Sequence, residues 1–308
     1  MAVRVIDGVG LAAPRVRKEF PDLDVWDLSG DLPPVDGATE VLFGGWDDEK
    51  LGPVLARGVD WVHLPGTGID GIPPDLFDTV RVVTCSRGAS AVPISEYVLA
   101  VMLAFAKGLP GFWLDAPPER WNFQRMDTLA GKTVGIVGIG GIGSAVARRA
   151  LAFDMHVRAL RRTAKPSPIP EVEIVTSVED LVRDADHVVI AAPGTARTQH
   201  LLDADAFAAM RDGVHVVNIA RGTLVDQDAL RAALDSGKVA RASLDTVDPE
   251  PLPEGHWLDS HPKVFLTPHS SWASSDLLGV SIDQFVANLR RYVGGEPLVD
   301  VVDVVEGY

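Results

Sequence analysis

The feature that most constrains this chain is a rhythm. Through the first hundred or so positions, short apolar runs recur about every 20 residues, separated by loops and helical stretches. Val3–Ile6, Asp24–Leu28, Glu40–Phe43, Trp61–Leu64 and Arg81–Thr84 read as strands. That is the spacing of βαβ units, and such units require a parallel sheet. The helix signals between them are weaker. Asp47–Arg57 is the best, with Asp47 as its N-cap.

Residues 93–108 read as a helix that is apolar on most faces and therefore buried. Pro93 stands at its start and Gly108 just past its end, the asymmetry expected of helix boundaries. It is placed at the junction of two domains. A second α/β series follows, with strands at 133–137, 156–160, 173–176, 187–190, 215–219, 242–245 and 264–266, and helices such as 142–152 and 227–236. The last helix, about 274–293, carries Leu278, Ile282, Phe285, Leu289 and Tyr292 at helical spacing and ends at Gly294-Gly295. The fold class is α/β with two doubly wound parallel sheets. The expected division is a substrate domain of residues 1–98 and 274–308, interrupted by a dinucleotide-binding domain of residues 99–273.

A chain of 308 residues accommodates two domains and a large core. One cysteine, Cys85, precludes an internal disulfide and fits a reducing compartment. There is no leader-like N-terminus and no run of about 18 apolar residues, so a cytoplasmic protein with no membrane partner is expected. The net charge of -15 argues against a nucleic-acid partner, which would need a basic face.

The strongest local motif runs from Lys132 to Gly143. Gly138, Gly140 and Gly143 form G-x-G-x-x-G between a strand and an Ala-rich helix. Gly138 makes the tight turn, Gly140 lets the backbone approach a pyrophosphate, and Gly143 lets helix and strand pack closely. The N–H groups of Gly141 and Ile142 then face the phosphates, aided by the helix dipole. At the end of the next strand, where an NAD site would carry Asp or Glu, stand Arg161, Arg162 and Thr163. Guanidinium groups pair with a 2′-phosphate that a carboxylate would repel, so NADP(H) is expected in preference to NAD(H).

Three further segments place chemistry on loops after strand ends, where open α/β sheets bind ligands. They hold Arg221 (Val217–Asp226), Glu250 (Leu244–Leu252) and His269 (Leu266–Trp272). Reduction of a 2-oxo acid needs a cation for carboxylate and keto oxygen, and arginine supplies a planar fork of donors. It also needs a proton donor to the forming alkoxide, and histidine titrates near neutrality. A carboxylate on the second ring nitrogen holds the tautomer and favours an imidazolium. Arg221, Glu250 and His269 are the expected catalytic residues. No metal site is expected.

With these motifs in order, the chain resembles the D-isomer-specific 2-hydroxyacid dehydrogenases over nearly its whole length. The matching stretches are Gly66–Asp70, Pro93–Tyr97, Leu129–Gly143, Asn218–Gly222, Ala229–Lys238, Leu244–Pro253 and Thr267–His269. The resemblance implies a Rossmann domain inserted in a flavodoxin-like domain, and a homodimer formed mainly through the nucleotide domain. It implies that backbone N–H groups near Thr67 and Gly68 hold the substrate carboxylate. Asp245 would contact the nicotinamide carboxamide, with Pro193 and Ala220 lining the cofactor. Two departures stand out. The usual Asp-Val-Phe is Asp245-Thr246-Val247, and His269 is followed by Ser270-Ser271-Trp272. Trp272 either shapes the substrate pocket or packs structurally. His63 is read as structural.

The arginine cluster is similar to that of the glyoxylate/hydroxypyruvate reductases of this family. NADPH-dependent reduction of a small 2-oxo acid of that kind is therefore the leading expectation. An NAD-dependent dehydrogenase of a larger D-2-hydroxy acid, and a non-catalytic dinucleotide-sensing interaction protein on the same fold, remain alternatives, because fold does not fix function.

Overall fold

The computed structural model describes residues 3–28, 31–45, 51–69, 76–114, 116, 119–121, 125–163 and 165–303. The chain forms two compact units, Met1–Ser90 with Ser274–Tyr308, and Ala91–Ala273.

In the first unit, β1 (Val3–Asp7), β2 (Asp24–Asp27), β3 (Thr39–Phe43), β4 (Trp61–Leu64) and β5 (Val82–Cys85) form a parallel sheet in the order β2-β1-β3-β4-β5. Strand order reverses between β1 and β3, as in flavodoxin-like doubly wound sheets. Val5, Ile6, Val41, Leu42 and Phe43 are wholly buried. Consecutive strand residues point to opposite faces, so both faces of the sheet are covered. The helices here are α1 (Ala13–Glu19), α2 (Leu51–Leu55) and α3 (Leu76–Thr79). The first N–H of α1, from Ala13, donates to the buried Asp7 carboxylate at 2.7 Å. The expected N-cap Asp47 lies outside the described residues.

The second unit opens with α4 (Ala91–Ala106), which starts two residues before Pro93 and lies wholly within this unit. A boundary at 98/99 falls inside that helix. Gly108 follows with φ 63, the left-handed conformation that glycine adopts freely. Ile94, Val98, Leu99 and Met102 of α4 pack with Val134, Ile136 and Val146. Next come β6 (Thr133–Val137), α5 (Gly141–Ala152), β7 (His156–Leu160), β8 (Glu173–Val175), α6 (Val178–Val182) and β9 (His187–Ile190). They are followed by α7 (Ala204–Ala209), β10 (Val214–Asn218), α8 (Gln227–Ser236), β11 (Val239–Leu244), α9 (Trp257–Ser260) and β12 (Val264–Leu266). The seven strands lie in the order β12-β11-β10-β9-β6-β7-β8. All pairs are parallel. Order reverses between β6 and β9, which opens a crevice at the carboxyl ends of those two strands.

The last helix, α10 (Leu277–Val293), belongs to the first unit and begins three residues later than the sequence suggests. Ile282, Phe285, Val286 and Leu289 pack against Val5, Val41, Phe43 and Trp61. Beyond it, Gly295 adopts φ 70 and the chain returns to β5, where Val302 N–H donates to Val83 O at 2.9 Å.

Candidate active site

The glycine turn sits at the end of β6. Gly138 has φ 94, and a Cβ there would lie 3.0 Å from Ala191 O, so only glycine allows the turn to press on the end of β9. A Cβ on Gly143 would lie 2.0 Å from Gly138 O. Gly140 is the opposite case, because nothing lies within 4 Å of its Cβ position. Its backbone faces open space. The helices α6, α7 and α8 each have a side-chain N-cap from Ser177, Asp203 or Asp226, whereas α5 has Gly140 there and no side-chain cap. The first-turn N–H groups of α5, including those of Gly141 and Ile142, therefore have no side-chain cap. Such a terminus is built to meet phosphate oxygens. An open glycine cradle and an uncapped helix fit a dinucleotide pyrophosphate.

Arg161–Thr163 lies directly beside this turn, since Gly138 N–H donates to Leu160 O at 3.1 Å. The Arg161 guanidinium donates to Pro166 O at 3.0 Å, which bends its own loop around it. Arg162 and Thr163 are exposed. On the other flank of the crevice, Pro193 follows β9, and its carbonyl accepts from the Thr198 hydroxyl at 2.8 Å.

Arg221 ends the short segment after β10. Asn218 builds that turn. Its Nδ2 donates to Arg221 O at 2.9 Å, and its Oδ1 accepts from Ala220 N–H at 3.1 Å. The stem of Arg221 runs over Gly194, where a Cβ would meet Arg221 Cγ at 3.0 Å. The next residue, Gly222, abuts the loop after β11 so closely that a Cβ would lie 1.9 Å from Val247 C.

Glu250 follows β11 and His269 follows β12, on adjoining strands. His269 Nδ1 and Glu250 Oε1 are 2.7 Å apart, and the two side chains are 36% and 41% exposed. The imidazole edge carrying Nε2 is turned away from that bond. His269 has φ 50, a left-handed backbone uncommon for a residue with a side chain. Three bonds hold it there. Its N–H lies 2.9 Å from both Asp245 O and Thr267 O, and its carbonyl accepts the Trp272 indole N–H at 2.6 Å.

Asp245 is 2% exposed. Its Oδ1 accepts from the Thr267 hydroxyl at 2.6 Å and from Ser270 N–H at 2.9 Å, and its Oδ2 accepts from Ser271 N–H at 3.0 Å. Thr267 spends its one proton on Asp245, so Tyr97 on α4 donates to Thr267 at 2.9 Å. Asp245 thus organises the turn that carries His269, a task its sequence position does not announce. Tyr97 joins it across 170 residues of sequence. Asn218 is the more readable of these turn-building residues, because an Asn at a strand end is a common turn former.

In the first unit, Thr67 follows β4, and its hydroxyl donates to Ser86 O at 3.1 Å, with Gly68 next in the loop. His63 is 1% exposed, between the Thr84 hydroxyl at 2.7 Å and the Ser86 hydroxyl at 3.1 Å, and burial pushes its pKa down to about 4. It is a neutral structural histidine. Among the described residues no cluster of His, Cys, Asp or Glu could hold a metal ion, and no helix is long and apolar enough to cross a membrane.

A doubly wound sheet with an open glycine turn, an uncapped helix start and a histidine–carboxylate pair on strand-end loops defines a nucleotide-dependent oxidoreductase. Residues 99–271 match the family model for the D-isomer specific 2-hydroxyacid dehydrogenase NAD binding domain. The chain is 32% identical over 257 residues to a glyoxylate/hydroxypyruvate reductase A from Yersinia enterocolitica, covering 80% of this chain and 81% of the relative. It is 29% identical over 245 residues to a D-3-phosphoglycerate dehydrogenase from Methanocaldococcus jannaschii, covering 78% of this chain and 46% of that one. A solved D-isomer specific 2-hydroxyacid dehydrogenase from Xanthobacter autotrophicus Py2, in complex with NADPH and MES, superposes with TM-score 0.83 at 29% identity, covering 100% of this chain and 99% of that one.

The chain belongs to the D-isomer-specific 2-hydroxyacid dehydrogenase family. It is an NAD(P)-dependent oxidoreductase that binds a dinucleotide and carries out the reduction chemistry of that family.

Proposed function

We propose that the chain is an NADPH-dependent reductase of small 2-oxo acids of the glyoxylate or hydroxypyruvate kind, yielding the D-2-hydroxy acid. The observation that carries the reading is the 2.7 Å contact between His269 and Glu250, set on adjoining strand-end loops beside that of Arg221. The bound nicotinamide supplies the hydride. Arg221 binds the substrate carboxylate and polarises the keto oxygen through its forked N–H donors. Glu250 accepts a hydrogen bond from His269 Nδ1–H, which fixes the ring so that Nε2–H is the edge offered to the substrate oxygen. His269 then gives that proton to the forming alkoxide and retains the one on Nδ1. Backbone N–H groups near Thr67 and Gly68 are assigned to the substrate carboxylate, and Trp272 to the substrate side chain.

Gly138, Gly140, Gly141, Ile142 and Gly143 hold the pyrophosphate, with Pro193, Ala220 and Asp245 toward the nicotinamide. Arg161, Arg162 and Thr163 take the 2′-phosphate. Two adjacent guanidinium side chains and no acidic side chain at the end of β7 support that choice. The working unit is a homodimer. A spectrophotometric screen of NADPH and NADH oxidation against a panel of 2-oxo acids tests the reading. Preferential oxidation of NADPH with glyoxylate or hydroxypyruvate is expected. Preference for NADH with a larger acid, such as a phosphorylated one, would replace it, and no turnover with any acid would leave a sensing role.

A further inference from the structure

We propose that one buried water molecule sits at the joint between the Arg221 turn and the Glu250 loop, bridging Thr246 and Gln227. A cavity of about 10 Å³ lies there, lined by Asn218, Gly222, Gln227, Leu230, Thr246 and Val247 among others. That is the space a single water needs, given polar partners. Two lining residues carry them. Thr246 is 1% exposed, and its hydroxyl has no partner. Gln227 Oε1 is likewise buried and unpartnered.

The surrounding groups cannot satisfy these two atoms. Gln227 Nε2 already donates to Asp248 O, which fixes the amide with its oxygen end left over. Both ends of the Asn218 amide are engaged within the Arg221 turn. Leu230 and Val247 offer only apolar side chains to the cavity. Gly222 cannot fill it with a side chain, because a Cβ would strike Val247. A water accepts from the Thr246 O–H and donates to Gln227 Oε1, so donors and acceptors balance.

The placement gives the water a consequence. Gln227 opens α8, immediately after the Arg221 turn, and Thr246 opens the loop that leads to Glu250. The bridge ties together the two segments that position the anion-binding guanidinium and the carboxylate partner of His269. Its kinetic effect rests on the roles proposed for those side chains, whereas its existence does not.

The test is a crystal structure of the full chain together with Thr246→Val and Thr246→Ser. The wild type and Thr246→Ser should show a water peak within hydrogen-bond distance of both side chains, and Thr246→Val should lack it. Thr246→Val should lower kcat about fivefold with KM for the nucleotide unchanged, and Thr246→Ser should stay near wild type, since small displacements of positioned groups cost rate. No peak in the wild type, or a peak that persists in Thr246→Val, would overturn the bridge, and full turnover in a peak-free Thr246→Val would overturn its role in positioning Arg221 and Glu250. Loss of the assigned catalytic roles would show differently, as an active Arg221→Ala enzyme that still holds the water.

Discussion

The two ends of the second sheet carry histidines whose environments share almost nothing. At the carboxyl end, His269 is half-exposed and paired with a carboxylate. At the amino end, His187 opens β9 and His215 lies one residue into β10, both buried. Their Nδ1 atoms are 3.2 Å apart, His215 Nε2 is 2.9 Å from the Ser243 hydroxyl, and the Phe105 ring lies 4.7 Å from that of His215. Burial pushes the pKa of His187 down to about 4 and that of His215 well below its ordinary value. Asp186 and Asp127 oppose that shift at His187, while Lys132 adds to it, and Arg241 and His187 do so at His215. One residue type therefore serves two ends. In a dry, aromatic pocket the ring is a neutral polar brick. On an exposed loop the ring is open to solvent and bonded to a carboxylate.

The comparison can be broken at either end. The largest expected effect on stability comes from His215→Ala, which removes a packed ring and strands the partners of two hydrogen bonds. It should cost about 2–4 kcal/mol by chemical denaturation, while the folded fraction keeps wild-type turnover. A loss of turnover without a loss of stability would erase the distinction between the two ends. Glu250→Gln should do the reverse, lowering kcat by about tenfold with the melting temperature within a few degrees of wild type.

The smallest effect is graded with pH. The unfolded chain protonates His187 near 6.5, and the folded chain only near 4. The stability contribution is present above pH 6.5 and is lost as pH falls toward 4, at up to about 1.4 kcal/mol per pH unit for each proton taken up on unfolding. Urea unfolding at pH 7, 6 and 5 should show the decline, and His187→Phe should make it shallower, leaving the part that His63 and His215 contribute.

How much of this is legible in the sequence varies with the range of the interactions. The βα rhythm and its strand-end loops are local patterns, so the sequence alone puts Arg221, Glu250 and His269 on loops that follow strands. The order β12-β11-β10 then brings His269 to Glu250. Helix starts are less readable where the cap is remote. The first N–H of α1 is held by Asp7 from the end of a strand, and α10 begins at Leu277 without a side-chain cap. Asp245 shows the limit most clearly. Its oxygens accept from Thr267, Ser270 and Ser271 on a loop more than 20 residues away, a partnership that no local pattern shows. Nothing in α4, a helix dominated by apolar residues, marks Tyr97 as the partner of Thr267.

The proton-donor role proposed for His269 requires that the side chain be dispensable for the fold. It is tested most directly by His269→Asn, assayed for NADPH-dependent reduction of glyoxylate alongside nucleotide binding and thermal melting. A fall in kcat/KM of about 10²–10⁴-fold is expected, with the nucleotide Kd and Tm close to wild type. Turnover within about twofold of wild type in that variant would contradict it.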